Sequence, residues 1–254
     1  MADDLLSKVR NWLQSSGFPL EMEAAAAFRS AGFDVRQSTS YVDQQTEKGR
    51  EIDVLASDPA HVGVVDISFV IECKGSKNPW VVLCSETALS SYNRLLAFAL
   101  TSSAARSAIG ERVTHHDSHS REYVLVENRA GYSMREALGS KESDPAYAAA
   151  MSAIKACRGL IREREPGGIQ PICFAFPVVI VDSPLFECTL ATDGQLELRQ
   201  VQHSAYLFSA HIPDAVGCLI HVVTRPHLAE FARWAKAVAT ALRVDLQDKE
   251  AEAL

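Results

Sequence analysis

A largely apolar segment that ends in a charged Glu-x-Lys triplet is the feature that most limits how this chain can fold. Residues 62–74 read as a long strand that finishes in Glu72-Cys73-Lys74. Because side chains alternate along a strand, Glu72 and Lys74 share one face and Cys73 points to the other. The apolar segment before it carries Asp53. If the two strands pair, two carboxylates and a lysine converge where a divalent cation and a phosphate can meet.

This arrangement resembles the PD-(D/E)XK nuclease superfamily, which has the restriction-endonuclease-like fold. The matching positions are Asp53, Glu72 and Lys74, with Ile52 where the name of the motif has Pro. The resemblance implies that Asp53 and Glu72 hold Mg²⁺ or Mn²⁺, with the main-chain carbonyl of Cys73 completing the ligand set. It also implies that Lys74 orients or activates the attacking water.

The same family often carries a further glutamate in the helix ahead of the first strand. Here a helix from about 19 to 31 offers Glu21 and Glu23. We favour Glu21 as the additional catalytic and metal-binding residue, because it lies at the start of the helix as in many relatives. Glu23 is the alternative. The resemblance extends over residues from about 17 to 85.

A simpler reading is that Glu72 and Lys74 form a solvated charge pair at the end of a sheet. That reading does not explain why charged residues end an apolar strand beside a second acid, Asp53. The intact set of acids and lysine favours a catalytic site.

The charge balance limits how the chain can meet nucleic acid. Its formal net charge is -7 at pH 7, which argues against a broadly basic binding surface. A nuclease remains compatible, since phosphate affinity depends on local cations and on bound metal. The cations expected near the site are Lys48, Arg50, Lys74, Lys77 and, further along the chain, Arg94.

The composition is that of a soluble globular protein, with 47% apolar and 22% charged residues. No apolar run approaches the roughly 20 residues that span a bilayer. The six cysteines are scattered and form no Cys-x-x-Cys pair, so we expect reduced thiols and no zinc site. These features predict a cytoplasmic protein without a membrane segment.

Apolar periodicity and breaker residues predict the secondary structure. Helices are expected at 3–15, 19–31, 86–109, 144–164 and 226–243. Strands are expected at 33–42, 50–56, 62–74, 121–126, 172–182, 186–191, 196–202, 205–210 and 217–224, and residues 81–83 form a short apolar run. Pro177 within the apolar segment 172–182 suggests a bulge or an edge strand, and the tail from Gln247 is expected to fray.

A histidine-rich stretch, His115-His116-Asp117-Ser118-His119, offers metal-binding residue types. Consecutive histidines point apart in any regular element, and nothing in the pattern fixes their geometry. We therefore expect a solvated loop rather than a metal site.

The expected fold is α/β, a restriction-endonuclease-like core with a central mixed β-sheet flanked by helices, followed by a C-terminal α+β extension. The core with the Asp and Glu-x-Lys motif spans 1–110. Residues 111–254 complete or enlarge the sheet, with no clear boundary between the two parts.

The expected function is that of a metal-dependent deoxyribonuclease of the endonuclease type, acting in antiviral defence or in DNA repair. Its expected partners are DNA and a second copy or a regulatory protein. The alternative is a catalytically silent, or partner- or ligand-activated, nuclease-fold subunit that serves as a binding module. Within the nuclease class, cleavage of branched DNA junctions is the runner-up. DNA or RNA, target specificity, oligomeric state and the role of residues 105–254 stay open.

Overall fold

The computed structural model describes residues 2–59, 63–139, 144–161, 171–212 and 214–253. The helices within these residues are α1 (Ala2–Ser15), α2 (Phe18–Ser30), α3 (Arg94–Phe98), α4 (Ser103–Arg112), α5 (Arg121–Val124), α6 (Pro145–Leu160) and α7 (Leu228–Ala253). A 3₁₀ turn at Arg225–His227 leads directly into α7. None of these helices is both long enough and apolar enough to cross a membrane.

The strands of the described residues form one mixed sheet. They are β1 (Asp34–Asp43), β2 (Lys48–Ser57), β3 (Val65–Lys74), β4 (Trp80–Ser85), β5 (Leu100–Thr101), β6 (Ala130–Glu136), β7 (Ile172–Val181), β8 (Leu185–Leu190), β9 (Leu196–Val201), β10 (His203–Ile212) and β11 (Asp214–Thr224). Their order across the sheet is β1-β2-β3-β7-β11-β10-β6-β4-β8-β9, with the short β5 also paired to β7. The chain is therefore α/β, as expected at that level, and strands from before and after residue 110 share the sheet.

The centre of the sheet is the parallel pair of β3 and β7. Their register runs from Val65 opposite Ile172 to Lys74 opposite Val181. Every residue of β7 is buried, as is typical of a parallel strand covered on both faces. Because the two strands are parallel, the chain must cross over between them, and α6 is the last helix of that crossover. β1 and β2 extend the sheet from β3 in antiparallel fashion.

Helices cover both faces of this central region. On one face, α2 and α7 pack over an aromatic core in which the rings of Phe69 and Phe176 stack at 4.6 Å. On the other face lies α6, whose buried residues are mostly alanine, including Ala149, Ala150 and Ala153. Small side chains let this helix approach the strands closely, and its Ser152 and Lys155 side chains reach the carboxylates of Glu72 on β3 and Asp43 on β1.

Pro177 lies in a central strand rather than at an edge, which corrects the sequence-based expectation. It pairs with Val70 of β3 on one side. On the other side, β5 reaches only Ala175 and β11 begins its pairing at Val178. Proline lacks the N–H that a ladder needs, and here it occupies the gap between two neighbours.

The predicted helix 86–109 is wrong as a single element. The chain forms α3, the short strand β5 and α4 instead. The Asn93 side chain accepts a hydrogen bond from the Leu95 N–H, and the Ser102 side chain accepts one from the Ala105 N–H. Each side chain caps a new helix start, which explains the interruption.

Three further expectations differ from the structure. The predicted strand 121–126 is the helical turn α5, and β6, which follows it, had not been anticipated. The C-terminal tail does not fray at Gln247, since α7 continues to Ala253. It is fixed by Glu250, whose carboxylate accepts hydrogen bonds from the Val64 and Val65 N–H groups. Residue 62 of the expected strand and residues 162–164 of the expected helix lie outside the described residues.

Candidate active site

The candidate site lies where β2 and β3 separate. The last residues paired between them are Val54 and Ile71. Beyond this pair, the two strands are joined by a side chain instead of by the backbone. The Asp53 Oδ2 accepts a hydrogen bond of 2.8 Å from the Cys73 N–H. This contact joins the two sequence-predicted strands at the Glu-x-Lys motif and places Asp53 beside it.

Glu72 is buried and makes two short contacts. The Lys74 Nζ lies 2.6 Å from its Oε1, and the Ser152 hydroxyl of α6 donates to its Oε2 at 2.7 Å. Glu72 thus faces α6, whereas the Cys73 side chain packs into the core beneath α2 and α7. The alternation expected from the sequence is present.

Burial, together with repulsion from the nearby Glu72 carboxylate, raises the pKa of Asp53 to about 6, although the hydrogen bond from Cys73 lowers it. Lys74 also lowers it, by less. Crowding acids in a half-buried site stores unfavourable charge repulsion, which protonation relieves. A bound cation would relieve the same repulsion.

Lys74 is held in its charged form. Burial lowers its pKa, but the hydrogen bond and attraction of Glu72 outweigh this effect, so the net shift is upward. The ammonium therefore serves as a fixed positive charge at the carboxyl end of β3.

Of the two candidate helix acids, Glu21 is the one that interacts electrostatically with the motif. Its pKa is raised by burial and then by repulsion from Glu51 and Glu72, while Lys74 lowers it. These influences place its carboxylate within electrostatic reach of the motif. Glu51, two residues before Asp53 on β2, was not among the sequence-based candidates.

The alternative, Glu23, faces a different partner. The Arg225 guanidinium binds both of its carboxylate oxygens, at 2.6 and 2.5 Å. The same guanidinium donates to Asp182 at 2.9 Å. A bidentate ion pair of this kind fixes both side chains, so Glu23 is committed to a structural contact.

The acids do not form a preassembled metal cage. Within the part of the chain that the structure describes, no group of three or more His, Cys, Asp or Glu side chains is arranged to hold a metal ion. The donor chemistry nevertheless fits Mg²⁺ or Mn²⁺, because Asp53, Glu72 and Glu21 offer hard carboxylate oxygens.

The expected cations divide into two groups. Lys48, Arg50 and Lys77 are exposed, and Arg50 Nε lies 3.8 Å from the buried Asp43 carboxylate. Arg94 does not belong with them. Its guanidinium is used within residues 89–128, where it donates to the carbonyls of Leu89, Tyr92 and Val126 and to the Asn128 side chain.

The histidine-rich stretch is a surface loop, as expected, and it is anchored rather than loose. The buried Asp245 carboxylate of α7 accepts hydrogen bonds from the His119 N–H and from the Ser118 and Ser120 hydroxyls. His115 and His116 are exposed. All six cysteines are free thiols.

The sequence reading missed Ser152 and Lys155 of α6. Ser152 binds Glu72, and the Lys155 Nζ lies 3.0 Å from Asp43 Oδ2. Both interrupt an otherwise alanine-rich buried face at a spacing of three residues, which puts them on the same side of a helix. That interruption was the signal available in the sequence.

Comparison of the chain with protein-family models, curated proteins and solved structures gives no significant match.

Proposed function

We propose that the chain is a metal-dependent deoxyribonuclease of the endonuclease type, with α2, β1, β2, β3, α6 and β7 as a restriction-endonuclease-like core. The observation that carries the proposal is the junction of Asp53, Glu72 and Lys74, in which the Asp53 carboxylate accepts the Cys73 N–H. The buried Glu72, the half-buried Asp53 and Lys74 meet where the two strands part, an arrangement suited to a phosphate and its counter-ion.

Phosphodiester hydrolysis needs charge neutralisation at the phosphoryl oxygens and an oriented water. Asp53 and Glu72, with Glu21 and the Cys73 carbonyl, would hold Mg²⁺ or Mn²⁺, which supplies electrostatic stabilisation and acidifies water. Lys74 provides a fixed positive charge beside the scissile phosphate and orients the attacking water.

Ser152 acts through Glu72. Its hydroxyl donates to one carboxylate oxygen of Glu72 at 2.7 Å while Lys74 contacts the other oxygen. The two contacts fix the plane of the carboxylate. Ser152 is therefore a positioning residue in this proposal.

A second candidate is a silent or partner-activated nuclease-fold subunit. It is favoured by the satisfaction of both Glu72 oxygens by protein groups. To bind a cation, Glu72 must give up or share the contact with Lys74. A DNA, protein or ligand partner that draws Lys74 away would then switch the site on.

The test is cleavage of supercoiled plasmid by the purified chain with Mg²⁺ or Mn²⁺, beside Asp53→Asn, Glu72→Gln and Lys74→Ala. We expect metal-dependent nicking or linearisation that each substitution abolishes. Glu21→Gln and Glu23→Gln form a matched pair on one helix. The first should lower the rate, and the second should leave it near that of the wild type.

Metal titration monitored by calorimetry separates the two candidates. Binding that Asp53→Asn and Glu72→Gln remove, without cleavage, supports the partner-activated subunit. Absence of both cleavage and metal binding contradicts the nuclease proposal, as does full activity of Asp53→Asn.

A further inference from the structure

The strand at one end of the sheet, β9, is exposed along its outer edge. Among the described residues, no strand pairs with that edge. Leu196 and Leu198 are 71% and 64% exposed, and Leu190, opposite Leu196 on β8, is 69% exposed. An edge strand with apolar side chains is a template for pairing with another strand.

The hairpin geometry identifies which backbone groups are free. At the β8–β9 turn, the Ala191 N–H donates to the Gln195 carbonyl at 2.8 Å. In an antiparallel ladder, hydrogen-bonded pairs recur at every second residue. Glu197 and Arg199 therefore direct their N–H and C=O groups toward β8. Leu196, Leu198 and Gln200 direct theirs outward.

We propose that β9 pairs antiparallel with β9 of a second copy of this chain, about a two-fold axis at Leu198. The two-fold registers that align the outward backbone groups and pair five of the six residues of β9 are centred at Leu198 or at Arg199. The second sets two arginines directly opposite each other, and like charges so placed repel. The register centred at Leu198 sets Glu197 against Arg199 of the second copy, twice.

The side chains of both faces suit this register. Arg199 is 70% exposed yet oriented, because its Nη2 lies 2.8 Å from Glu187 Oε2. On the opposite face, Leu198 meets Leu198 of the second copy at the axis, and Leu196 and Leu190 lie to either side. When two Glu-Leu-Arg segments run antiparallel, each glutamate faces an arginine and the two leucines face each other. An isologous interface requires such self-complementarity, and for this reason we assign the edge to a second copy.

Sedimentation velocity of the full chain over about 1 to 200 µM tests the dimer. We expect a monomer–dimer equilibrium in this range. Glu197→Arg places arginine opposite arginine and should weaken the dimer at least about tenfold, whereas Glu197→Gln should weaken it less. Circular dichroism melting checks that the exposed substitution leaves the fold intact. A wild-type monomer throughout, or an unweakened Glu197→Arg dimer, overturns the proposal.

Disulfide trapping tests the register. At the two-fold axis, Leu198→Cys brings two thiols within reach of a disulfide, so mild oxidation should give covalent dimers. Glu197→Cys is the matched control. Residue 197 faces residue 199 of the second copy rather than residue 197, so this variant should cross-link slowly. The unsubstituted chain controls for the six native thiols. Equal trapping of both variants, or faster trapping of Glu197→Cys, contradicts the register.

Discussion

At the scale of single residues, Asp53 combines a structural and a chemical demand. Its carboxylate accepts the Cys73 N–H at the point where β2 and β3 part, and it does so close to Glu72. The first contact favours the charged form and the second opposes it. Burial and the neighbouring acids raise the pKa of Asp53 to about 6. Its charged form therefore lowers the stability of the folded chain at neutral pH, as is common at functional sites.

Asp53→Asn should stabilise the chain in a pH-dependent way. The pKa of Asp53 in the folded chain lies above its ordinary value of 3.8, so the folded state binds the proton more tightly. Its contribution to stability is therefore lost as pH rises through the window from about 4 to 6. Asparagine can still accept the Cys73 N–H but carries no charge. We expect its unfolding free energy to exceed that of the wild type by about 2 kcal/mol at pH 7.5 and to match it near pH 4.

Urea denaturation at the two pH values, with a chelator present, measures this difference. Asp193→Asn is the control, since Asp193 accepts the Gln195 N–H at 2.9 Å in an exposed turn. It reports the effect that an Asp→Asn substitution has in an exposed turn outside the site. An Asp53→Asn effect of equal size at both pH values would show that charge repulsion is not its cause.

The same residues show what the sequence could predict about the site. Asp53, Glu72 and Lys74 lie on two strands that are consecutive in the chain, so alternation and nearest-neighbour pairing were enough to bring them together. Ser152 is separated from Glu72 by 80 positions. Its contact depends on the crossover that sets α6 against β3, and no local pattern encodes that placement.

At the scale of elements, local rules succeeded where a segment had one dominant signal and failed where two signals competed. The strand β7 was predicted from its continuous apolar residues despite Pro177. The segment 86–109 has helical composition, but the Asn93 and Ser102 caps divide it. The C-terminal turns of α7 are polar and looked likely to fray by sequence. A tertiary contact from Glu250 holds them.

Glu250→Ala should therefore loosen the contact between α7 and the start of β3. Its Oε1 accepts from the Val64 and Val65 N–H groups at 3.0 and 3.2 Å. Removal leaves two backbone donors without this partner, and we expect a loss of about 1–2 kcal/mol in unfolding free energy.

Glu250→Gln keeps an acceptor and should lose less. The exposed Glu252 pairs with the half-buried Lys249 at 3.4 Å, so Glu252→Ala should be close to neutral. Chemical denaturation measures all three variants. An equal loss in both alanine variants would show that the hydrogen bonds from Val64 and Val65 to Glu250 do not stabilise the chain.

The histidine pair between β10, β11 and α7 should make the chain sensitive to acid. The His203 Nε2 lies 3.1 Å from His221 Nδ1, and the His221 ring packs 4.8 Å from Trp234. Burial, with repulsion from the neighbouring His227, lowers the pKa of His203 to about 4, and burial lowers that of His221 well below its ordinary value. The unfolded chain therefore binds more protons below pH 6.5, and stability falls as pH falls.

We expect His203→Phe/His221→Phe to lose this dependence. Wild-type stability should fall by about 1–2 kcal/mol between pH 6 and 5 relative to the double variant. Asp53 acts in the opposite direction, but equally in both proteins. His115→Phe/His116→Phe makes the same substitutions in the exposed loop and should keep the wild-type slope. Unfolding curves between pH 6 and 5 measure this difference. If His203→Phe/His221→Phe kept the wild-type dependence of stability on pH, burial of the two histidines would not be its cause.

At the scale of the whole molecule, a net charge of -7 must be reconciled with the polyanionic substrate that we propose. Non-specific affinity for DNA comes from cations that displace counter-ions from phosphates. Lys48 opens β2, which runs antiparallel to β3, so it lies toward the end of the sheet that carries Lys74. Lys77 follows Lys74 by three residues. Both are exposed, and we call this pair of lysines the basic rim.

If the nuclease proposal holds, this rim should account for much of the salt dependence of DNA binding. Lys48→Gln and Lys77→Gln should each weaken binding of a short duplex and reduce the slope of log K against log salt by about 1. Lys249→Gln removes the same charge at the far end of α7, near the start of β3, and should leave the slope unchanged. Fluorescence anisotropy in Ca²⁺, a cation that prefers oxygen ligands, gives the slopes. Equal changes in all three variants would mean that net charge, rather than a rim at the site, governs the encounter with DNA.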